Sequence, residues 1–333
     1  MDVLAAAELQ RIVNLADFEP LAAERMTGPA YDYVAGGAWD EVTLREGVDA
    51  WRRYRFVPRV LRKLQTIDVS GTFFGRRTAM PIAIAPMAAQ GLAHPAAEAE
   101  MLAGAAAAGI PFCLSTTSSL ALEEVAAAAP GAERWFQLYV IGGMGYSRSL
   151  VERAEATGYR ALVVTVDLSV LGRRERDVRS GFELPSLPHL DAAEDARDRR
   201  YGAIEDQWID GLTWDSIAEI ATWTSMPVVV KGILSTEDAR LAVDAGVAGI
   251  VVSTHGGRQL DRAVSTADAL PPIVDTVGEI GVLRHDDWPV ELPLRARTVD
   301  QQAALAGAGC VRPGLTKATY GTGVFVLGHV GRA

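Results

Sequence analysis

Six short apolar runs, at residues 81–86, 111–115, 135–139, 161–166, 227–231 and 249–253, alternate with helical segments along this chain. Each is strand-length and nearly continuous in apolar character, the pattern of parallel strands covered on both faces. The segments between them carry helix punctuation. Ser149-x-x-Glu152 predicts a capping box with Gly158 as the stop, and Ser235-x-x-Asp238 with Gly246 repeats it. Residues 96–108 predict a further helix ending at Gly109. Such β-then-α units in series leave two architectures, a (β/α)8 barrel or a doubly wound sheet. No Gly-x-Gly-x-x-Gly follows a strand, which weakens a dinucleotide-binding sheet. In both architectures the polar residues at the C-terminal strand ends are the candidates for chemistry.

Composition narrows the partners. With 333 residues, 49% of them hydrophobic, the chain can bury a large core as one large α/β domain or two modest ones. A net charge of −10 leaves no basic surplus for nucleic-acid phosphates. Cys113 and Cys310 stand far apart without metal-ligand spacing, which argues against a disulfide framework and against a metal site, and for a reducing cytoplasm. Asp2 and Glu8 interrupt the N-terminus, and no apolar stretch reaches the roughly 18–20 residues of a membrane span, so a soluble protein is expected. Residues 1–80 read as a helical and irregular preface. Residues 180–212, rich in Arg and Asp, are long for a βα connection and read as an active-site lid or a disordered stretch.

The strand ends are unusually polar. The third run ends Gln137-Leu138-Tyr139. The fourth gives Thr165-Val166-Asp167, then Leu171-Gly172-Arg173-Arg174. The fifth ends Lys231-Gly232, and the sixth enters Ser253-Thr254-His255-Gly256-Gly257-Arg258-Gln259-Leu260-Asp261. Each has a plain structural reading: a core histidine, a snorkelling Lys231, surface ion pairs for Arg174 and Arg258, a helix cap for Asp167. Together at one mouth, a histidine and two arginines point to recognition of a carboxylate, with Asp167 placed to orient His255. The residues alone support an enzyme acting on a small anion.

Read in order, these pieces resemble one family. Tyr31-Asp32-Tyr33-Val34-Ala35-Gly36-Gly37-Ala38, Ile84-Ala85-Pro86-Met87-Ala88, His94-Pro95, Leu114-Ser115, Gln137-x-Tyr139 and the later strand ends are similar to the FMN-dependent α-hydroxy-acid oxidases and dehydrogenases over about residues 10–270. That family includes glycolate oxidase, lactate oxidase and mandelate dehydrogenase. The resemblance implies a TIM-type barrel, FMN as cofactor, and oxidation of a small 2-hydroxy acid to the 2-oxo acid. It implies His255 as the base that takes a proton from the substrate as a hydride equivalent passes to flavin N5, and Asp167 as its partner. Tyr139 matches the tyrosine near the substrate oxygen. Lys231 matches the cation beside flavin N1 and O2. Tyr33, Arg174 and Arg258 match the groups that hold the substrate carboxylate. Pro86, Met87, Ala88, Ser115, Gln137, Thr165 and Ser253 match positions at the flavin. Thr254 replaces the family's common Asn. Thr117 stands where glycolate oxidase has a tryptophan, which leaves room for a bulkier, aromatic substrate. Similar proteins form tetramers, so a homo-oligomer is expected.

The pattern breaks after Pro271. A seventh strand ending Asp-Gly-Gly before an arginine, and an eighth ending Gly-Arg, do not stand at the expected spacing, yet these loops bind the FMN phosphate in such barrels. Residues 275–333 instead resemble part of an FGGY-class glycerol kinase, through Asp300-Gln301-Gln302-Ala303-Ala304-Leu305 and Gly314-Leu315-Thr316-Lys317-Ala318-Thr319-Tyr320-Gly321-Thr322-Gly323. There Asp300 matches the catalytic base and Thr322 a threonine near the nucleotide phosphates. The expectation is an incomplete (β/α)8-type barrel with six recognisable βα units in residues 1–270, joined to a kinase-like segment, 271–333. Residues 290–294 and 323–327 could supply substitute strands. An inactive fusion unable to retain FMN and a kinase-like nucleotide binder are the rival readings.

Overall fold

The computed structural model describes residues 10–58, 60–61, 67–193, 211–277, 281–283 and 292–294. A short antiparallel hairpin, β1 (Gly71–Phe73) and β2 (Arg76–Thr78), precedes a five-stranded parallel sheet. Its strands, β3 (Phe112–Ser115), β4 (Arg134–Leu138), β5 (Leu162–Thr165), β6 (Val228–Ile233) and β7 (Gly249–Val252), pair in chain order. The expected run at 81–86 joins this sheet only through a parallel bridge from Ile84 to Phe112. Pro81 and Pro86 lack backbone donors at the two ends of that run, and its pairing with the β3 segment is Ile84 N to Pro111 O and Cys113 N to Ile84 O.

Side-chain parity divides the sheet. Leu114, Phe136, Leu138, Leu162, Val164, Val228, Val230, Ile250 and Val252 pack outward with the helices as one core. Cys113, Trp135, Ala161, Val163, Val229 and Val251 form a separate inner cluster with Phe73 and Ala83. Two buried faces are what a barrel-type sheet requires, and they explain the continuous apolar runs. At the bottom, the rings of Phe73 and Phe74 meet the Trp135 ring edge-on at 5.4 and 5.5 Å, so the hairpin plugs that end. One pleat period above the inner apolar layer come Ser115, Gln137, Thr165, Lys231 and Ser253, all buried and all polar. The interior thus changes from apolar to polar within two residues on every strand.

The helices follow the predicted punctuation with one exception. Helix Ala97–Ala108 ends on a left-handed Gly109, and Ser235 caps helix Thr236–Asp244 by accepting from Asp238 N. Ser149 is no cap. Helix Gly143–Ala156 begins six residues earlier, and Ser149 Oγ donates back to Tyr146 O at 2.7 Å. Helix Thr266–Val277 carries Pro271 and Pro272 inside it. Pro271 lacks the N–H that would reach the Ala267 carbonyl, and Tyr54 Oη donates to that carbonyl instead, at 2.8 Å.

Of the stretch 180–212, expected as an active-site lid or a disordered stretch, residues 194–210 lie outside the described residues; in the rest Phe182, Leu187 and Leu190 are buried, and a short helix, Pro188–Asp191, starts at a proline. The strand expected at 290–294 does form in part, as β9 (Leu292–Leu294). It pairs antiparallel with β8 (Gly281–Leu283) as a separate two-stranded sheet and so does not extend the main one. The run at 323–327, Asp300, Thr322, Cys310 and most of the kinase-like segment lie outside the described residues. Among the described residues no helix is long and apolar enough to cross a membrane.

Candidate active site

A cavity of about 1100 Å³ opens at the C-terminal end of the sheet. Lys231 reaches it from the end of β6 and Tyr139 from just past β4, while His255 and Arg258 follow β7 and Arg174 follows β5. Tyr33, from helix Gly28–Ala35, completes the polar wall. Pro86, Met87, Ala88, Ser115 and Thr117 also line the cavity.

His255 has partners at both ring nitrogens. Nδ1 lies 2.8 Å from Asp167 Oδ1 and Nε2 lies 3.1 Å from Tyr139 Oη. A carboxylate only accepts, so the imidazole proton sits on Nδ1 and Nε2 accepts from the tyrosine hydroxyl. Burial and the Lys231 charge hold the His255 pKa down to about 4, against the opposing pull of Asp167, so the ring is neutral near pH 7. Burial works against ionisation of Asp167, but His255 and Lys231 outweigh it and keep that carboxyl below its usual range. Burial pushes the Tyr139 hydroxyl upward, so it stays a donor. The arrangement presents an unprotonated ring nitrogen to the cavity, which is what a general base requires.

The backbone at His255 is held under strain. Its φ is +56°, a left-handed conformation that costs a non-glycine residue roughly 1–2 kcal/mol. Gly256 and Gly257 continue it, and a Cβ on Gly257 would lie 2.4 Å from Leu44 N. Ser253 Oγ accepts from His255 N at 3.0 Å, so Ser253 supports the base from behind. The rest of this run binds backbone. Gln259 Nε2 donates to Asp167 O and Val170 O, and Asp261 Oδ1 accepts from Thr43 N.

The two arginines converge on Tyr33. Arg258 and Arg174 lie over its ring at 5.1 and 5.7 Å to the centroid, and Phe182 stacks on it at 4.3 Å. Arg258 Nη1 donates to Tyr33 O at 2.6 Å and Gly36 O at 2.8 Å, the carbonyls that the helix end leaves open. Burial and the neighbouring Arg174 lower the Arg258 pKa to about 10, still charged at neutrality. Arg174 Nη1 stands 3.8 Å from the buried Asp177 carboxylate. Two buried guanidiniums at one wall favour an anionic ligand. Arg173, its neighbour in sequence, turns away and lies over Trp39.

Two buried polar atoms in the upper layer, Gln137 Nε2 and Thr165 Oγ1, have no hydrogen-bond partner among the described residues. Thr165 pairs in register with Lys231, and Gln137 with Ser115. With the shelf of Pro86, Met87 and Ala88 this gives donors and a cation beside an apolar surface. That donor set fits a planar heterocycle that carries hydrogen-bonding edges and gains negative charge on reduction.

The sequence-derived site residues within 1–270 therefore gather at one end of the sheet. Ten line the cavity: Tyr33, Pro86, Met87, Ala88, Ser115, Tyr139, Arg174, Lys231, His255 and Arg258. Asp167 and Ser253 bond to His255, and Gln137 and Thr165 occupy the layer beside them. The sequence reading missed helix Phe18–Arg25, whose Phe18, Leu21 and Ala22 form part of the cavity wall, and did not single out Phe182 and Leu184 within the segment read as a lid or a disordered stretch. No local signal marks them, because their role depends on contacts distant in sequence. Among the described residues no cluster of His, Cys, Asp or Glu is arranged to hold a metal.

The sequence profile described as FMN-dependent dehydrogenase matches residues 22–285. A 4-hydroxymandelate oxidase of Amycolatopsis orientalis is 44% identical over 273 residues, covering 80% of this chain and 76% of the relative. Glycolate oxidase of Spinacia oleracea is 41% identical over 274 residues, covering 79% and 73%. A solved mandelate oxidase bound to (S)-4-hydroxymandelic acid superposes with a TM-score of 0.75 at 43% identity, covering 80% of this chain and 77% of its own.

Proposed function

The chain belongs to the FMN-dependent dehydrogenase family, and from that premise we propose that it oxidises an aromatic 2-hydroxy acid to the corresponding 2-oxo acid with FMN. The observation that carries this reading is the neutral His255 between Asp167 and Tyr139, in a cavity that Arg174 and Arg258 also line. The cofactor, when bound, supplies a two-electron acceptor, with Ser115, Gln137, Thr165 and Lys231 as the groups to hold it against Pro86, Met87 and Ala88. Arg174, Arg258 and Tyr33 hold the substrate carboxylate. Tyr139 orients the substrate oxygen, and His255 Nε2 takes the proton as the carbonyl forms. Asp167 stabilises the resulting imidazolium, a charge that burial otherwise penalises. Lys231 favours negative charge developing near it.

Support for an aromatic side chain comes from the wall. Thr117 is small, and Leu168, Leu171, Phe182 and Leu184 make the neighbouring surface apolar. Glycolate carries no side chain to fill that space.

Residues 1–270 are read as the flavin barrel and 271–333 as the kinase-like segment; the kinase reading rests on the sequence pattern alone. A cytoplasmic, homo-oligomeric, tetrameric protein belongs to the same reading, and light scattering checks the assembly. The purified chain is mixed with excess FMN and passed through gel filtration, and mandelate is added without oxygen. Retained flavin absorbance that mandelate bleaches supports the proposal. A folded, monodisperse sample that keeps no flavin favours the inactive fusion, for which the missing phosphate motifs after Pro271 are the observation. Retained flavin that no 2-hydroxy acid bleaches overturns the substrate reading.

A further inference from the structure

His189 is fully buried and takes no part in the chemistry above. Its two ring nitrogens have opposite duties. Nδ1 donates to Thr116 O at 3.0 Å, and Nε2 accepts from Leu122 N at 3.0 Å. Only the neutral ring with its proton on Nδ1 does both. The ring also meets Phe136 edge-on, and its own carbonyl accepts from Tyr146 Oη at 2.6 Å. His189 thereby ties three pieces of chain: the loop after β3, helix Gly143–Ala156 and its own segment.

Both ends of that tie reach the cavity. Thr116 Oγ1 donates to Gln137 O at 2.6 Å and accepts from Tyr139 N at 3.0 Å, so the β3 loop sets the backbone that carries Tyr139. Thr117, next in sequence, lines the cavity. On the other side, the segment that ends in His189 begins with Phe182 and Leu184, which line the same cavity, and Phe182 stacks on Tyr33. Leu187 and Leu190 bury themselves with Tyr139, Ile141 and Leu168.

We propose that His189 is a positioning residue that fixes the β3 loop carrying Thr117 relative to the segment carrying Phe182 and Leu184, all three of which line the cavity, and so sets the size of side chain the enzyme accepts. The inference rests on the substrate reading given above. It assigns selectivity to a residue that touches no substrate.

The test uses two variants. His189→Leu keeps volume and removes both hydrogen bonds. His189→Gln keeps a donor and an acceptor on one planar group. Hydrogen exchange is read for peptides spanning residues 116–122 and 182–191, and KM and kcat are read with mandelate and glycolate. H189L is expected to lose protection in both peptides together and to raise KM for mandelate about tenfold, with glycolate KM changed by less than about twofold and any fall in kcat the same for the two substrates. H189Q is expected to restore protection and most of the mandelate KM. Equal KM changes for the two substrates, or lost protection in one peptide alone, overturn the proposal. If H189L does not fold, H189Q decides: wild-type exchange with an unchanged mandelate-to-glycolate KM ratio supports it, and a changed ratio with wild-type exchange overturns it. Absence of all turnover in wild type bears on the substrate reading, while the exchange experiment still tests the tie.

Discussion

His255 Nδ1 and Asp167 Oδ1 lie 2.8 Å apart although 88 residues separate them in the chain. This contact decides which imidazole nitrogen faces the cavity, and Gly232 makes it sterically feasible. A Cβ at Gly232 would fall 2.6 Å from Asp167 Cβ.

Replacing Asp167 with Asn offers Nδ1 an amide that can donate, which lets the ring proton move to Nε2 and removes the base. Turnover of mandelate by the FMN-loaded D167N protein is expected to fall by roughly 10³–10⁴-fold, the scale of the analogous change in a Ser-His-Asp triad. Circular dichroism establishes that the variant is folded. Turnover close to wild type would show that Asp167 does not set the tautomer.

The pH dependence follows from the same site. His255 acts as a base only when unprotonated, and its pKa is held down to about 4 by burial and Lys231. The rate kcat/KM is therefore expected to be level from pH 5 toward neutrality and to fall as pH drops through about 4. Stability has the same sign. Between pH 6.5 and about 4 the unfolded chain binds a proton at this residue that the folded one does not, so the melting temperature falls on acidification across that window. An acid limb centred near 6.5 would contradict the buried, neutral assignment.

Lys231 pushes protons off both His255 and Asp167. In Lys231→Met the acid limb of kcat/KM is expected to move to higher pH, while kcat falls because charge near the site is lost. A limb that stays in place would mean that Lys231 is electrostatically remote from the base.

Gly232 and Gly246 form a matched pair. Both have positive φ, +115° and +76°, but only Gly232 has no room for a Cβ; Gly246 has nothing within 4 Å. Gly246→Ala is expected to cost about 1 kcal/mol and Gly232→Ala about 3 kcal/mol or more. Thermal melts of the two read the difference. Equal losses would mean that Asp167 yields to the added methyl without cost.

Thr117→Trp fills the space assigned to an aromatic side chain. Mandelate KM is expected to rise by about tenfold or more while glycolate turnover persists, because a ring-sized clash in a packed site costs on the order of 1–3 kcal/mol. The ratio of the two KM values is the measurement, and an unchanged ratio would remove Thr117 from the side-chain wall.

Much of this was legible in the sequence, and for a physical reason. Strands buried on both faces must be apolar along their whole length, so β3 to β7 announce themselves as runs, and the chemistry sits where each run turns polar. Gln137, Thr165, Lys231 and Ser253 are visible for that reason alone. Ser149 misled because a serine and a glutamate at cap spacing also occur inside a helix, and local pattern cannot tell which register the core selects. Only the tertiary structure could place the Asp167 carboxylate against His255, turn Arg174 inward and Arg173 outward, and bring Phe18, Phe182 and Leu184 to one cavity. These are contacts between segments far apart in the chain, fixed by packing rather than by neighbours in sequence. His189 is the clearest case. Its sequence neighbours, Leu187, Pro188 and Leu190, give no sign of it, and its meaning lies in two backbone groups, Thr116 O and Leu122 N, that folding carries to its two ring nitrogens.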